Sequence, residues 1–136
     1  MMPKYELCDF KIMGDARGSL IALEENHNVP FDVKRVYYIF GTKADVHRGK
    51  HAHKNLRQLA ICVAGSCKFL LDNGSDKVHI ELNSPTQGLL IEGVMWREMY
   101  DFSDDCVLMV LADNYYGEDD YIRNYEDFLK EASHDS

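Results

Sequence analysis

Apolar positions recur at every second residue along most of this chain, in short runs. Residues 18–24 alternate in this way, and residues 33–40 (VKRVYYIF) combine β-branched and aromatic side chains. In residues 78–82, Val78, Ile80 and Leu82 share one face while His79 and Glu81 take the other. Residues 58–63, 67–71, 88–91, 95–102 and 106–111 complete a set of strand-length runs. Asp72-Asn73-Gly74 carries a hairpin signal, and Gly65 predicts a tight reversal between its neighbours. Many short strands at regular spacing predict a sandwich or barrel. The period changes near the end. Tyr121, Ile122, Tyr125, Phe128 and Leu129 recur at helical spacing, with Glu118, Asp119 and Asp120 in a predicted first turn where the helix dipole favours negative charge. The pattern predicts an all-β barrel closed by one short C-terminal α-helix, as a single domain over residues 1–136.

Composition narrows the function. A length of 136 residues suits one domain, and a net charge of −8 argues against nucleic acid, whose phosphates need a basic face. A nucleotide sugar remains possible if a few arginines converge. No apolar run is long enough to span a bilayer, and the first ten residues lack a signal-peptide pattern, so a cytoplasmic protein with no membrane partner is expected. Cys8, Cys62, Cys67 and Cys106 are scattered and read as buried, reduced thiols rather than disulfides or a metal site.

Residues 47–54 (HRGKHAHK) carry the chemistry. His51 and His53 are two apart, so on a strand both imidazoles enter the same space. A His-x-His strand is also how cupin barrels begin a metal site. Gln58 stands where that pattern places a glutamate, Gly65 keeps its glycine, and the second motif, MWREM, has no histidine. Two histidines, a neutral amide and the Arg97 guanidinium fall short of a divalent-metal site. The expectation is a cofactor-free, metal-free site.

Longer segments then show a resemblance. RGSLIALEENHNVPFDVKRVYYIF, RGKHAHKNLRQLAICVAGSCKF, SPTQGLLIEGVMWREMYDFS and CVLMVLADNYYGEDDYIRNYEDF together resemble the dTDP-4-keto-6-deoxy-D-glucose 3,4-ketoisomerases of bacterial deoxyaminosugar pathways. The resemblance covers nearly the whole chain. It implies a cupin (double-stranded β-helix, jelly-roll) barrel, no metal, and a homodimer with exchanged N-terminal strands. It matches the family's catalytic histidines to His51 and His53, and its active-site tyrosine to the Tyr37–Tyr38 pair, with Tyr37 favoured. Arg48 is the arginine of the RGxHAHK segment. Family members yielding the galacto product tend to carry Arg and His at the places of Arg17 and Arg97; those yielding the gluco product carry Tyr and Arg. This chain has Arg at both, and Arg97 favours the gluco product.

The residues support the chemistry such an isomerase needs. A ketone at C4 acidifies the hydrogen on C3. Removing it leaves an enediol, and reprotonation at C4 leaves the carbonyl at C3. Histidine takes and returns protons near neutral pH. His51 is the leading base and His53 its orienting or proton-shuttling partner, although the order can be reversed. Tyr37, Arg48 and Arg97 are candidate donors to the developing oxyanion. Arg17, Arg48, Arg97, Tyr38, Trp96 and Glu98 are the expected substrate contacts, with Trp96 able either to stack on the ligand or to pack in the core. Two alternatives use the same frame: a 3,5-epimerase, and a non-catalytic sugar-nucleotide-binding cupin.

Overall fold

A computed structural model describes residues 1–135, with side chains described through residue 133. Twelve strands and one helix follow in chain order: β1 (Glu6–Asp9), β2 (Met13–Asp15), β3 (Gly18–Leu20), β4 (Arg35–Phe40), β5 (Arg48–His53), β6 (Gln58–Ala64), β7 (Cys67–Asp72), β8 (Lys77–Leu82), β9 (Gln87–Ile91), β10 (Trp96–Tyr100), β11 (Val107–Ala112), β12 (Tyr121–Ile122) and α1 (Tyr125–Asp135). One five-stranded sheet has the order β1-β9-β6-β11-β4; the other has the order β12-β5-β10-β7-β8. Neighbours within each sheet are antiparallel. The two sheets stack as a jelly roll rather than closing into one continuous barrel, because among the described residues no ladder joins a strand of one sheet to a strand of the other.

Alternation explains the layers. One face of each sheet turns inward, where Ala60, Cys62, Phe69, Leu71, Leu89, Met99, Leu108 and Val110 form the main core. The opposite face of the first sheet is also apolar. Leu59, Ile61, Leu90 and Leu111 there are covered by Phe10, Val29 and Phe31 from the N-terminal segment. The outer face of the second sheet is covered by α1, whose Phe128 packs on Ala52, Trp96 and Ile122. No helix among the described residues is long and apolar enough to cross a membrane.

Three local expectations are corrected. The run at 18–24 remains a strand only to Leu20. Asn28 bends the next residues into a loop, donating to the Ala22 carbonyl at 2.7 Å and accepting from the Glu24 amide at 2.8 Å. The reversal at Gly65 (φ 66°) is a corner that carries the chain from one sheet to the other, and a Cβ there would collide with Ser103 and Asp105. The helix expected from residue 118 begins only at Tyr125. Residues 118–120 form a 3₁₀ turn, while Tyr121 and Ile122 are captured as a strand by β5, opposite His53 and Ala52. Asn124 then starts α1, its side chain accepting from the Asp127 amide at 3.0 Å.

Candidate active site

The two histidines share a face because they stand two apart on β5, and a bulge just before them sets how that face meets β10. Arg97 of β10 pairs with His51, but Glu98 pairs with Gly49, so Lys50 is an extra residue on β5. Gly49 (φ 82°) and Lys50 (φ 57°) both take left-handed conformations to fit it in. A Cβ at Gly49 would lie 3.0 Å from the Arg97 carbonyl oxygen and from Met99 Sδ. The bulge leaves His51 and His53 on the inward face with Arg97, and Ala52 on the outward face.

The imidazoles meet edge to face, with ring centroids 4.8 Å apart. Tyr121 packs on both, at 5.0 Å from His51 and 4.4 Å from His53. His53 is the deeper of the two, with 1% of its surface exposed. Its Nδ1 lies 2.8 Å from Asp120 Oδ2. A carboxylate can only accept there, so Nδ1 carries the proton and Nε2 carries a lone pair. Nε2 is buried and has no hydrogen-bond partner among the described residues. Asp120 is itself held by the Asn55 amide, which donates to Oδ1 at 2.8 Å.

A second chain of polar groups spans the two sheets. Arg97, 2% exposed, donates from Nε and Nη2 to the Met95 carbonyl at 3.2 and 2.9 Å, and from Nη1 to Gln58 Oε1. Gln58 in turn donates from Nε2 to the Tyr37 hydroxyl at 3.1 Å. Arg35, beside Tyr37 on β4, lies 5.5 Å from the Tyr37 ring centre and 5.9 Å from that of Tyr116. Its buried Nε also lacks a hydrogen-bond partner among the described residues.

Electrostatics keeps both imidazoles neutral. Burial lowers the pKa of His51 to about 4, and the Arg97 cation adds to the effect. Burial, Arg97 and His51 lower His53 to about 3, against the pull of Asp120. Burial also brings Arg97 down to about 10, which leaves it a cation at neutral pH. Tyr37 is raised by burial and stays a protonated donor. The cluster therefore holds two uncharged bases, one fixed cation and one phenol.

His51, His53, Tyr37 and Arg97 are brought together on the inner faces of the two sheets. The other expected contacts are not. Trp96 and Glu98 fall on the outward face of β10, one residue out of phase with Arg97. Trp96 packs edge to face on Tyr125 at 5.2 Å and donates to Glu98 at 3.1 Å. Of the two readings of Trp96, the geometry supports packing. Tyr38 is out of phase with Tyr37 and 64% exposed on the outside of the first sheet. Arg17 is exposed at the β2–β3 turn, where it pairs with Asp15 at 2.5 Å. Arg48 is exposed at the start of β5, in register with Met99. Sequence reasoning missed Asp120 and Tyr121 by placing them in a helix. A reading of Tyr121 and Ile122 as a strand would have found them, but two residues carry no period.

A cupin-type divalent site does not fit these residues. The amide at the glutamate position is committed to Arg97 and Tyr37, and the guanidinium occupies the space beside it. Among the described residues, the only cluster of three or more His, Cys, Asp or Glu groups close enough to share an ion is Cys62, Cys67 and Cys106.

The profile of one protein family, FdtA (WxcM-like, C-terminal), matches residues 3–133. The chain belongs to this family. That span includes every residue of the cluster just described. The FdtA-family chain is 54% identical over 125 residues to the TDP-4-oxo-6-deoxy-α-D-glucose-3,4-oxoisomerase of Aneurinibacillus thermoaerophilus, covering 92% of this chain and 90% of that one. It is 46% identical to a mutant of the 3,4-ketoisomerase of Thermoanaerobacterium thermosaccharolyticum solved with TDP-4-keto-6-deoxyglucose, with a TM-score of 0.93, covering 96% of this chain and 94% of that one. It is 49% identical to the TDP-quinovose 3,4-ketoisomerase of Campylobacter jejuni, with a TM-score of 0.89, covering 93% and 97% of the two chains. A dTDP-4-dehydrorhamnose 3,5-epimerase of Bacillus anthracis, 16% identical with a TM-score of 0.75, shares the fold alone.

Proposed function

We propose that this FdtA-family member is an isomerase that converts dTDP-4-keto-6-deoxy-D-glucose to a dTDP-3-keto-6-deoxyhexose by proton transfer through an enediol. The observation that carries the reading is the pair of neutral imidazoles in edge-to-face contact beside Arg97, one of them pinned by Asp120. His51 is the more open of the two and meets the sugar first, so it takes the proton from C3 and returns one at C4. His53, its tautomer set by Asp120, presents Nε2 to the substrate hydroxyl and relays the proton that must move between the oxygens. Tyr37 donates to the developing oxyanion. Arg97 adds a fixed positive field while its own protons stay on Gln58 and Met95. It holds the site's geometry and cannot deliver a proton to carbon at neutral pH.

The gluco product fits best, because position 97 holds an arginine that supplies no acid from its side of the ring. The 3,5-epimerase reading is weaker: the likeness to that enzyme extends to the fold, whereas the ketoisomerases share about half of their residues with this chain.

A cytoplasmic homodimer with exchanged N-terminal strands is the proposed assembly. The β2–β3 hairpin pairs with neither main sheet, and its flank exposes Ile12, Met13 and Leu20. β4 is an edge strand that exposes Val36, Tyr38 and Phe40. Unpaired edges with exposed apolar residues call for a partner. In such a dimer Arg17 reaches substrate only from the partner's hairpin. The four cysteines are unbridged, as a reducing compartment requires.

The deciding experiment is NMR of the product formed from dTDP-4-keto-6-deoxyglucose. A carbonyl at C3 with an equatorial C4 hydroxyl is the expected outcome. A carbonyl retained at C4 with inversion at C5 would assign the epimerase instead. Binding without turnover would assign a non-catalytic cupin.

A further inference from the structure

The far end of the same interior holds a second cluster that the proposed reaction does not use. Cys62 on β6, Cys67 at the start of β7 and Cys106 just before β11 come from three separate segments, yet their sulfurs converge in the core. Cys62 Sγ lies 3.5 Å from Cys67 Sγ and 3.8 Å from Cys106 Sγ, and all three sulfurs fall within 4.8 Å of one another. The residues are 0%, 1% and 4% exposed. Their surroundings are apolar: Phe69, Leu82, Phe102 and Leu108 belong to the same core. Cys62 is four steps along β6 from Gln58, which places it roughly 13 Å from that residue at about 3.3 Å per step.

We propose that these three thiols form a binding site for a three-coordinate, trivalent thiophile, of which arsenous acid is the simplest example. Two features select this class. The first is geometry. A centre bonded to each sulfur at about 2.3 Å, as in metal thiolates, with bond angles between a right angle and the tetrahedral value, sets sulfurs roughly 3.3–3.8 Å apart. The Cys62–Cys67 and Cys62–Cys106 separations fall in that window, and the Cys67–Cys106 pair, within 4.8 Å, would close to it on binding. A planar three-coordinate ion would spread them to about 4.0 Å on the same bond length. The second feature is charge. A divalent ion on three thiolates leaves a net negative charge in an apolar core, which is costly without a partner. A trivalent centre leaves none.

The reaction is a condensation. Each thiol proton passes to one hydroxyl of arsenous acid. Three As–O bonds break, three As–S bonds form, three waters leave, and no atom changes oxidation state. The thiols need not ionise beforehand, which suits this setting. Burial raises Cys106 to about 12, and hydrogen bonding with Cys62 together with burial raises Cys67, while the hydrogen bond from Cys67 lowers Cys62.

The test uses the whole protein, reduced with a phosphine so that no competing dithiol is present. Sodium arsenite is added in two arms: to the native protein, and during refolding from denaturant in case the closed core blocks access. Native mass spectrometry is expected to show one arsenic per chain with three hydrogens lost, ultraviolet absorption an As–S band, and thermal unfolding a higher midpoint. Cys62→Ala and Cys106→Ala each leave only two thiols and are expected to weaken uptake by roughly 100-fold, the scale of losing one intramolecular link. Cys8→Ser lies outside the cluster and is expected to bind like the parent. Circular dichroism of each variant separates loss of binding from loss of fold. No uptake in either arm overturns the proposal, as does uptake that survives Cys106→Ala in a folded variant or depends on Cys8. None of these readouts involves sugar turnover, so they stand or fall apart from the isomerase reading.

Discussion

His53 Nδ1 and Asp120 Oδ2 lie 2.8 Å apart, and that bond decides which nitrogen of the imidazole carries the proton. With the proton fixed on Nδ1, Nε2 is left as a bare acceptor, buried and ready to take a proton from a ligand. The carboxylate is fixed in turn by the Asn55 amide on its other oxygen. Asp120 thus holds a tautomer rather than touching substrate. Asp120→Asn keeps the size and can keep the Asn55 contact, but no longer stabilises the protonated ring. We expect kcat to fall by roughly 10- to 1,000-fold, part of the 10²–10⁴ that a positioned acid–base group supplies. KM should change little. Steady-state kinetics checks the split: a raised KM with intact kcat would assign Asp120 to binding.

The depressed histidines set the pH dependence of activity. A base must be neutral to act, and burial keeps His51 neutral down to about pH 4. The acid limb of kcat/KM, which reports the free enzyme, is therefore expected well below the ordinary histidine value of about 6.5. A limb centred at 6.5 would show that the free site is more hydrated than its burial implies.

The same shifts act on stability. In the unfolded chain both histidines bind protons as pH falls through about 6.5, whereas in the folded chain they resist until about 4 and about 3. The unfolded state then holds more protons, so stability rises with pH across this window and is lost as pH falls through it. Denaturant midpoints measured between pH 7 and pH 4 should drop. The drop should shrink in His53→Gln, which removes the most strongly shifted group.

Gln58 is the joint between the two sheets. Gln58→Ala strands the Arg97 Nη1 donor and the Tyr37 hydroxyl without their partner. Leaving a buried polar group unsatisfied costs about 1–3 kcal/mol, more when it is charged. The thermal midpoint should fall, and activity should fall with it because Tyr37 loses its anchor. Thermal unfolding and turnover measured on the same preparation test both.

Trp96 separates packing from ligand binding. It lies under α1 against Tyr125 and Phe128, on the face opposite the histidines. Trp96→Phe should lower stability by about 1–3 kcal/mol, as trimming a buried side chain does. KM for the sugar nucleotide should stay within roughly twofold of the parent, as expected for a residue without ligand contact. A large KM change at unchanged stability would return Trp96 to the substrate.

Alternation along the chain was enough to predict the class of fold, most strands, and the inward pairing of His51 and His53, because a strand's side-chain period depends only on local backbone geometry. The same rule, applied across MWREM, separates Arg97 from Trp96 and Glu98, and applied across VYYIF separates Tyr37 from Tyr38. Residue type alone had grouped them. Asp120 and Tyr121 were hidden for a different reason. Their segment has helical spacing, and only the exposed edge of β5, brought there by the rest of the sheet, turns two of its residues into a strand and delivers the carboxylate to His53. The cysteine cluster was hidden in the same way, since Cys62, Cys67 and Cys106 meet only when the corner at Gly65 folds one sheet over the other. The sequence by itself determined which chemistry was on hand: two imidazoles, a phenol, a guanidinium and an amide in place of a carboxylate. Tertiary structure alone decided which of these groups touch, because hydrogen bonds of about 3 Å between residues dozens of positions apart depend on how the sheets stack, and no local period encodes that.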